Sequence, residues 1–461
     1  MSEQTVRNST QRWKDLDVRH HLAPFTDYKQ IKVDGDGARI ITSAKGVFLT
    51  DSEGNKILDG MAGLWCVNLG YGRDELAQVA YEQMKELPYY NSFFKTTTPP
   101  TVELAEKLSS LTPKGLDYIF YGSSGSESND TVMRMVRFYW NQAGKPEKTH
   151  FTSHNLAYHG STLAGASLGG MTAMQEGFGL PLPGIHHVTP PYWYDLGGDM
   201  TPEEFGIKAA KAVEEKILEI GADKVAAFIG EPIQGAGGVI IPPAGYWAEI
   251  QRICRQYDVL IIADEVICGF GRTGKMFGCQ TFGIQPDMMT MAKGITSGYQ
   301  PLSAVAVSDK IGKTLIDRGG EFFHGYTYSG HPVACAVALK NIQLIEEGGY
   351  LAQIETVTGP HLAKRLAGLK DHPLVGEVRS IGLIGAVEMV KNKQTRERFE
   401  NDGAVGARCR DHCVANGIML RAVRDAMVMS PPLIITVQEI DSLIDKLTLA
   451  LDATARDLKV L

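Results

Sequence analysis

"VLIIADEV", residues 259–266, runs through five apolar residues without alternation before it meets the paired acids Asp264 and Glu265. A strand with one wet face alternates apolar and polar residues. An unbroken apolar run is what a strand needs when both of its faces are covered. "VAAFIGEPI" (225–233) has the same texture, and between the two lies "WAEIQRICRQYD" (247–258), which reads as an amphipathic helix. Upstream, Thr201-Pro202-Glu203-Glu204 supplies an N-cap, a proline at the first helical position and a capping-box glutamate, so a helix is predicted to run to about Ile220. "LDYIFY" (116–121) reads as a further short strand. After "GSSGSES" (122–128), Val132, Met135, Val136 and Tyr139 fall on one helical face. Strands that are apolar throughout, separated by helices, imply an α/β fold with a mostly parallel sheet covered on both sides. Catalytic groups in such sheets gather beyond the carboxyl ends of the strands.

The texture changes near residue 330. "HPVACAVALKNIQLIEEGG" (331–349) reads as a long helix, "VGEVRSIGLIGAVEMV" (375–390) as a hairpin, and "ITVQEIDSLIDKLTLALDATARDL" (435–458) as a closing helix. "GVFLTDSEGNKILDG" (46–60) is a strand–turn–strand with no helix to carry it into a parallel sheet. The expected organisation is a large domain over 65–330 and a smaller α+β domain over 331–461, joined by the N-terminal segment 1–64. A chain of 461 residues is too long for one simple core, which agrees with two domains.

Composition is that of an ordinary globular protein, with 44% apolar and 21% charged residues. The net charge of −7 and the absence of a Lys/Arg stripe argue against nucleic acid or an anionic membrane as partner. The opening "MSEQTVRNSTQRWKDLD" lacks the apolar core of a signal peptide, and no apolar run approaches the ~20 residues of a membrane helix. Seven scattered cysteines complete the expectation of a reduced, cytoplasmic protein. Cys409 and Cys413 sit one helical turn apart around His412, yet no second ligand pair is nearby, so no metal is expected there or at His154 and His159.

"TMAKGITSGY" (290–299) places Lys293 among small and apolar residues, where few neighbours could satisfy an ammonium. Three other features belong with it. Asp264 closes the most apolar strand, and a buried carboxylate needs a cation or a proton. A protonated pyridine nitrogen would serve, as would a helix cap or an arginine such as Arg272. In "GSSGSES", Ser124, Gly125 and Ser126 lie between a strand and a helix, where small residues and free N–H groups can cradle a phosphate. The stretch is not a P-loop, because the Gly-Lys-Ser/Thr ending is absent, and a plain tight turn is the alternative. Glu127 and Asp130 would repel a phosphate and are expected to point away. Tyr158, in "NLAYHGST" (155–162), can stack on a flat ring or simply fill the core. A desolvated lysine is a good nucleophile for forming an imine. Phosphate cradle, ring acid, stacking aromatic and imine-forming lysine together describe a pyridoxal phosphate site.

The chain resembles the class III aminotransferases, the ω-transaminases of pyridoxal phosphate fold type I. The stretches that carry the resemblance are "GLWCVNLGYGR" (63–73), "YGSSGSESNDT" (121–131), "AYHGST" (157–162), "EPIQGAGGVI" (231–240), "ADEVICGFGRTG" (263–274), "AKGITSGYQP" (292–301) and "HGYTYSGHP" (324–332). "HHLAPFTDYKQ" (20–30) and "DHPLVGEVR" (371–379) place it nearest the pyruvate-dependent amine and polyamine branch. The resemblance implies Lys293 as the lysine that joins the cofactor, Asp264 as partner of the ring nitrogen, and Ser124, Gly125 and Ser126 as the phosphate loop. It implies Tyr158 and Val266 on the two ring faces, Glu231 as an acid near the cofactor, and Thr327 reaching the phosphate in the partner subunit. A homodimer, or a dimer of dimers, follows from that last role. Trp65 would line the substrate pocket together with Tyr158, and Arg421 would bind the keto-acid carboxylate, with a surface arginine as its alternative. The implied reaction moves the amino group of a diamine, polyamine, β-alanine or aryl amine to pyruvate. Two positions depart from the pattern. Ser128 stands where relatives often carry alanine, and Arg424 stands where they usually carry a small residue, so it could compete with Arg421 for the carboxylate.

"GFGRTG" (269–274) is a literal G-x-G-x-x-G after a strand and raises the alternative of a nicotinamide-dependent dehydrogenase. Asp264 and Glu265 would repel a pyrophosphate, and "KMFGCQTFGIQPD" (275–287) does not open a helix, so the fingerprint lacks its context. A non-catalytic binding protein on the same scaffold is disfavoured by the presence of both Lys293 and Asp264. Decarboxylases and aminomutases share the family's motifs and differ in their products.

Overall fold

Leu260–Asp264 is buried at every position because it lies in the middle of a seven-stranded sheet. The computed structural model describes residues 3–34 and 37–460. In chain order the strands of this sheet are β1 (Tyr118–Gly122), β2 (His150–His154), β3 (Ile185–Val188), β4 (Val225–Gly230), β5 (Leu260–Asp264), β6 (Met288–Met291) and β7 (Ser303–Val307). Their spatial order is β1-β7-β6-β5-β4-β2-β3. β7 runs antiparallel to both neighbours, and every other pairing is parallel. Alternate residues of β5 enter two different cores: Ile261 and Ala263 pack into one, Leu260 and Ile262 into the other. That is the geometry the unbroken apolar run requires.

The helices form where their termini are chemically marked. Thr201 accepts from Glu204 N at 3.3 Å, and the Glu204 carboxylate accepts from Thr201 N at 2.9 Å, opening the helix Pro202–Ile220. Phe205, Ala209, Val213 and Ile217 then form its buried stripe, one residue per turn. The helix Tyr246–Gln256 lies against β5, and Gly125–Gln142 follows β1 directly. The α/β class and the mostly parallel sheet agree with the sequence reading. The antiparallel β7 and the short β6 do not announce themselves in the sequence, since four or five small residues and methionines give no period to read.

Two further sheets flank this one. Ile41–Lys45, Phe48–Asp51 and Lys56–Asp59 form an antiparallel meander, and Ile418–Met419 pairs in parallel with Lys56–Asp59, setting Ile418 opposite Leu58. Val375–Ile381, Ile384–Met389, Ala426–Met429 and Arg421–Val423 form the other, in that spatial order. The helix Val437–Asp457, capped by Thr436, covers a separate core of Leu443, Ile444, Leu447 and Leu451 with Met427 and Met429.

Glu388 is buried in the strand Ile384–Met389 and receives Arg379 and Arg398 at 2.9 Å each, together with the Tyr192 hydroxyl. Burial alone would raise its carboxyl, but the two guanidinium groups and the tyrosine hold it below the ordinary 4.5. A depressed folded value means the stabilisation is complete above the unfolded value and is lost as pH falls through the folded one. Glu388→Gln is therefore expected to cost about 2 kcal/mol at neutral pH, because it removes the charge that Arg379 and Arg398 share and leaves them only Glu377 and Asp195. That gap should narrow on acidification below the ordinary carboxylate value. Urea denaturation of both proteins across that range checks it, and a gap independent of pH would refute the assignment.

Candidate active site

Parallel β4, β5 and β6 end on the same edge of the sheet, and their carboxyl ends deliver three ionisable side chains to one cavity. Glu231 follows β4, Asp264 ends β5, and Lys293 stands two residues beyond β6. The cavity, of about 310 Å³, is lined by these three and by Ser124, Gly125, Ser126, Asn129, Tyr158, His159 and Val266, among others.

Asp264 is 3% exposed and accepts three hydrogen bonds. One oxygen accepts from His159 Nδ1 at 2.7 Å and Asn129 Nδ2 at 2.9 Å, and the other accepts from Val266 N at 3.1 Å. Burial pushes this carboxyl up, but the bonds from His159, Asn129 and Val266 outweigh it and hold it below the ordinary carboxylate value. The site therefore contains a buried negative charge. Arg272 is not its partner: the Arg272 guanidinium is itself fully buried and donates to Leu383 O at 3.1 Å, Asn68 Oδ1 at 3.0 Å and Pro431 O at 2.5 Å. The arginine alternative raised by the sequence is thus overturned, because the "GFGRTG" loop turns its arginine toward residues 383 and 431 and away from the strand end.

Lys293 takes a left-handed φ of +49° in a single helical turn after β6. Its Nζ lies 5.4 Å from the centre of the Trp65 ring and makes no hydrogen bond or ion pair within the described residues. Burial lowers its ammonium below the ordinary 10.5, with Asp264 and Glu231 pulling the other way without restoring it. Glu231 accepts from Tyr158 N at 3.1 Å and Gly235 N at 2.9 Å, and burial raises its carboxyl to about 7.

Two glycines narrow the cavity. A Cβ on Gly125 would lie 3.1 Å from both methyl groups of Val266. Gly160 has φ +129°, and a Cβ there would lie 2.6 Å from Ser126 Oγ. Ser124 caps the helix Gly125–Gln142, and Ser126 Oγ accepts from Ser161 N at 3.0 Å. Glu127 and Asp130 are absent from the lining, as the charge argument expects: Glu127 accepts from Ser123 N and Asp130 from Thr162 Oγ1. Ser128 is buried, and its hydroxyl has no partner among the described residues.

The remaining expected residues divide. Trp65 is buried, with φ +59°, and has two cations near its ring: Lys293 and Arg421, whose guanidinium carbon lies 5.1 Å from the ring centre. Arg421 and Arg424 line a second cleft of about 800 Å³ with Asp195 and Asp402. Arg424 is already engaged there, with Asp402 at 2.8 Å and Asp195 at 3.3 Å, so the notion of a free cation competing with Arg421 is not met. Thr327 lies apart from both spaces, on an exposed loop where its carbonyl accepts from the Tyr89 hydroxyl. His159 and Asn129, the donors to Asp264, were not singled out for this role in the sequence. The available signal was proximity alone, since His159 follows Tyr158 in "AYHGST" and a buried acid demands donors. His154 bonds Tyr246 and His412 bonds Asp457, and no cluster of three metal-ligating side chains occurs among the described residues. Nor, among those residues, is any helix long and apolar enough to cross a membrane.

A partnerless, desolvated amine beside a held negative charge, in a slot kept narrow by two glycines, suits a flat ring with a basic nitrogen and a carbonyl. Known proteins agree with that chemistry. The class-III aminotransferase family profile matches residues 32–451. The putrescine–pyruvate aminotransferase of Pseudomonas aeruginosa is 56% identical over 455 residues, covering 99% of each chain. The ω-transaminase of Pseudomonas jessenii in complex with PMP superposes with a TM-score of 0.94 at 42% identity, covering 96% of this chain and 98% of that one. A thermostable (S)-enantioselective ω-transaminase from Thermomicrobium roseum gives 0.93 at 44% identity, with 96% and 98% covered. This chain belongs to the class-III aminotransferase family.

Proposed function

We propose that this protein moves the amino group of a primary amine to pyruvate, with pyridoxal 5′-phosphate as cofactor, releasing an aldehyde or ketone and alanine. The observation that carries the reading is the pairing of a partnerless Lys293 with a charged Asp264 in one cavity. The donor class follows from the 56% identity to a putrescine–pyruvate enzyme, and β-alanine and aryl amines belong to the same screen. The residues fit the cofactor: Ser124, Gly125 and Ser126 would take its phosphate, Tyr158 and Val266 would flank the ring, Asp264 would face the ring nitrogen, and Lys293 would hold the aldehyde. When bound, the cofactor supplies an electron sink that makes the proton on the donor's amine-bearing carbon removable. Lys293, freed by the incoming amine, would be the base that takes this proton and the acid that returns it, and burial, which lowers its pKa, favours that role. Asp264 keeps the ring nitrogen cationic through the transfer. His159 and Asn129 fix Asp264 in place. Arg421, with Trp65 beneath it, holds the acceptor's carboxylate. Thr327, exposed in the single chain, reaches the phosphate of a partner subunit, so the working unit is a homodimer or a dimer of dimers in the cytoplasm.

Purified protein loaded with pyridoxal phosphate is expected to be yellow, and its absorption should shift when putrescine is added. Alanine should accumulate when pyruvate is present. A donor screen reading alanine sets the preference. Carbon dioxide release, or turnover without an acceptor, would replace the transaminase reading, and no alanine with any donor would end it.

A further inference from the structure

Arg421 has no carboxylate partner among the described residues, although Asp195 and Asp402 line the same cleft. Asp195 gives one oxygen to Arg398 Nε at 2.5 Å and the other to Arg424 Nη1 at 3.3 Å, while Asp402 accepts from Arg424 Nε at 2.8 Å. Arg424 is held where it can do this. It sits at φ +53° in the turn between the strands Arg421–Val423 and Ala426–Met429. Its carbonyl lies so close to Gly406 that a Cβ there would be 2.0 Å away, and Asp425 accepts from Gly406 N at 2.8 Å, so the turn is seated on the start of the helix Ala404–Ala415.

We propose that Arg424 is a positioning residue for the acceptor: it saturates the two cleft aspartates and so leaves Arg421 free for the substrate carboxylate. The inference rests on the reaction proposed above and on Arg421 as the carboxylate ligand. Arg424 touches no substrate in this account. Its effect is electrostatic, through removal of two competing anions from an otherwise available guanidinium in a cleft where a direct ion pair would be partly desolvated.

Arg424→Gly tests this, because glycine accepts the positive φ without strain. The KM for pyruvate is expected to rise roughly three- to tenfold as Asp195 and Asp402 draw Arg421 away, with kcat at saturating pyruvate and the KM for the amine unchanged. Adding Asp195→Asn and Asp402→Asn to that variant is expected to restore the pyruvate KM, since asparagine still accepts from Arg398 but no longer attracts Arg421. If Arg424 instead binds the carboxylate itself, the KM rises and the triple variant does not recover. If Arg424 only braces the turn, the melting temperature and kcat fall together without a selective change in the pyruvate KM. Either result overturns the proposal. A parent enzyme that makes no alanine at all would instead refute the reaction assignment, so the two failures are distinct.

Discussion

Lys293→Ala is expected to reduce alanine formation by at least about 10⁴-fold, because in the proposed mechanism one side chain carries both the proton transfer and the covalent hold on the cofactor. The expectation follows from its surroundings. The ammonium is desolvated, makes no hydrogen bond or ion pair among the described residues, and lies 5.4 Å from the centre of the Trp65 ring, an arrangement that costs stability unless another group uses the amine. The remaining contacts would survive the substitution, so the variant should still bind pyridoxal phosphate without a covalent link. Two measurements check it. Borohydride reduction and peptide mapping should tag residue 293 in the parent and nothing in the variant, whose reduced cofactor should separate from the protein on denaturation. Retention of a near-native rate, or a tag at another lysine, would sink the assignment. The apo variant is expected to be at least as stable as the parent, because a desolvated amine without a hydrogen-bond partner among the described residues has been removed.

The fold and the site were legible in the sequence to different degrees. The central strand could be read because burial on both faces leaves an unbroken apolar run. Thr201 and Glu204 marked a helix start because orphan N–H groups must be met by side chains of that kind. Asp264 and Lys293 stood out because charged residues in apolar settings demand an explanation. Where the sequence fell short, the determinant was a contact between distant segments. His159 and Asn129 meet Asp264 across 105 and 135 residues, and nothing local records that meeting. Arg272 was a reasonable partner for Asp264 by its position in the chain, but the loop carrying it turns the guanidinium toward residues 383 and 431. Arg424 was visible as a departure from the family pattern, and its meaning was not, since Asp195 lies 229 residues away. β7 escaped because a short strand of small residues has no period, and its antiparallel pairing is set by β1 and β6.

Asp264→Asn is expected to lower kcat by about 10³-fold, comparable to removing one preorganised electrostatic partner from a dry site. The side chain keeps its shape and loses its charge. In the parent, three donors converge on the two carboxylate oxygens, so an amide nitrogen placed on either side meets at least one N–H head on. In the proposed mechanism the larger effect would be on the cofactor ring: a cation at hydrogen-bonding distance, ~3 Å, from a carboxylate gains on the order of 5 kcal/mol at an effective dielectric of 20, and part of that would be expressed only as negative charge builds on the substrate carbon. The pH dependence separates this from a folding defect. Because the Asp264 pKa is depressed, the parent carboxylate is ionised throughout the range above its ordinary value of 3.8. The parent's rate should therefore not fall through this group anywhere near neutrality, and the deficit of the variant should stay constant from mildly acidic to mildly alkaline pH. Circular dichroism and melting of the loaded protein would show whether the amide is accommodated. A properly folded, cofactor-loaded Asp264→Asn enzyme within tenfold of the parent rate would mean that the charge at the end of β5 does not drive the chemistry, and the role assigned to it would have to be withdrawn.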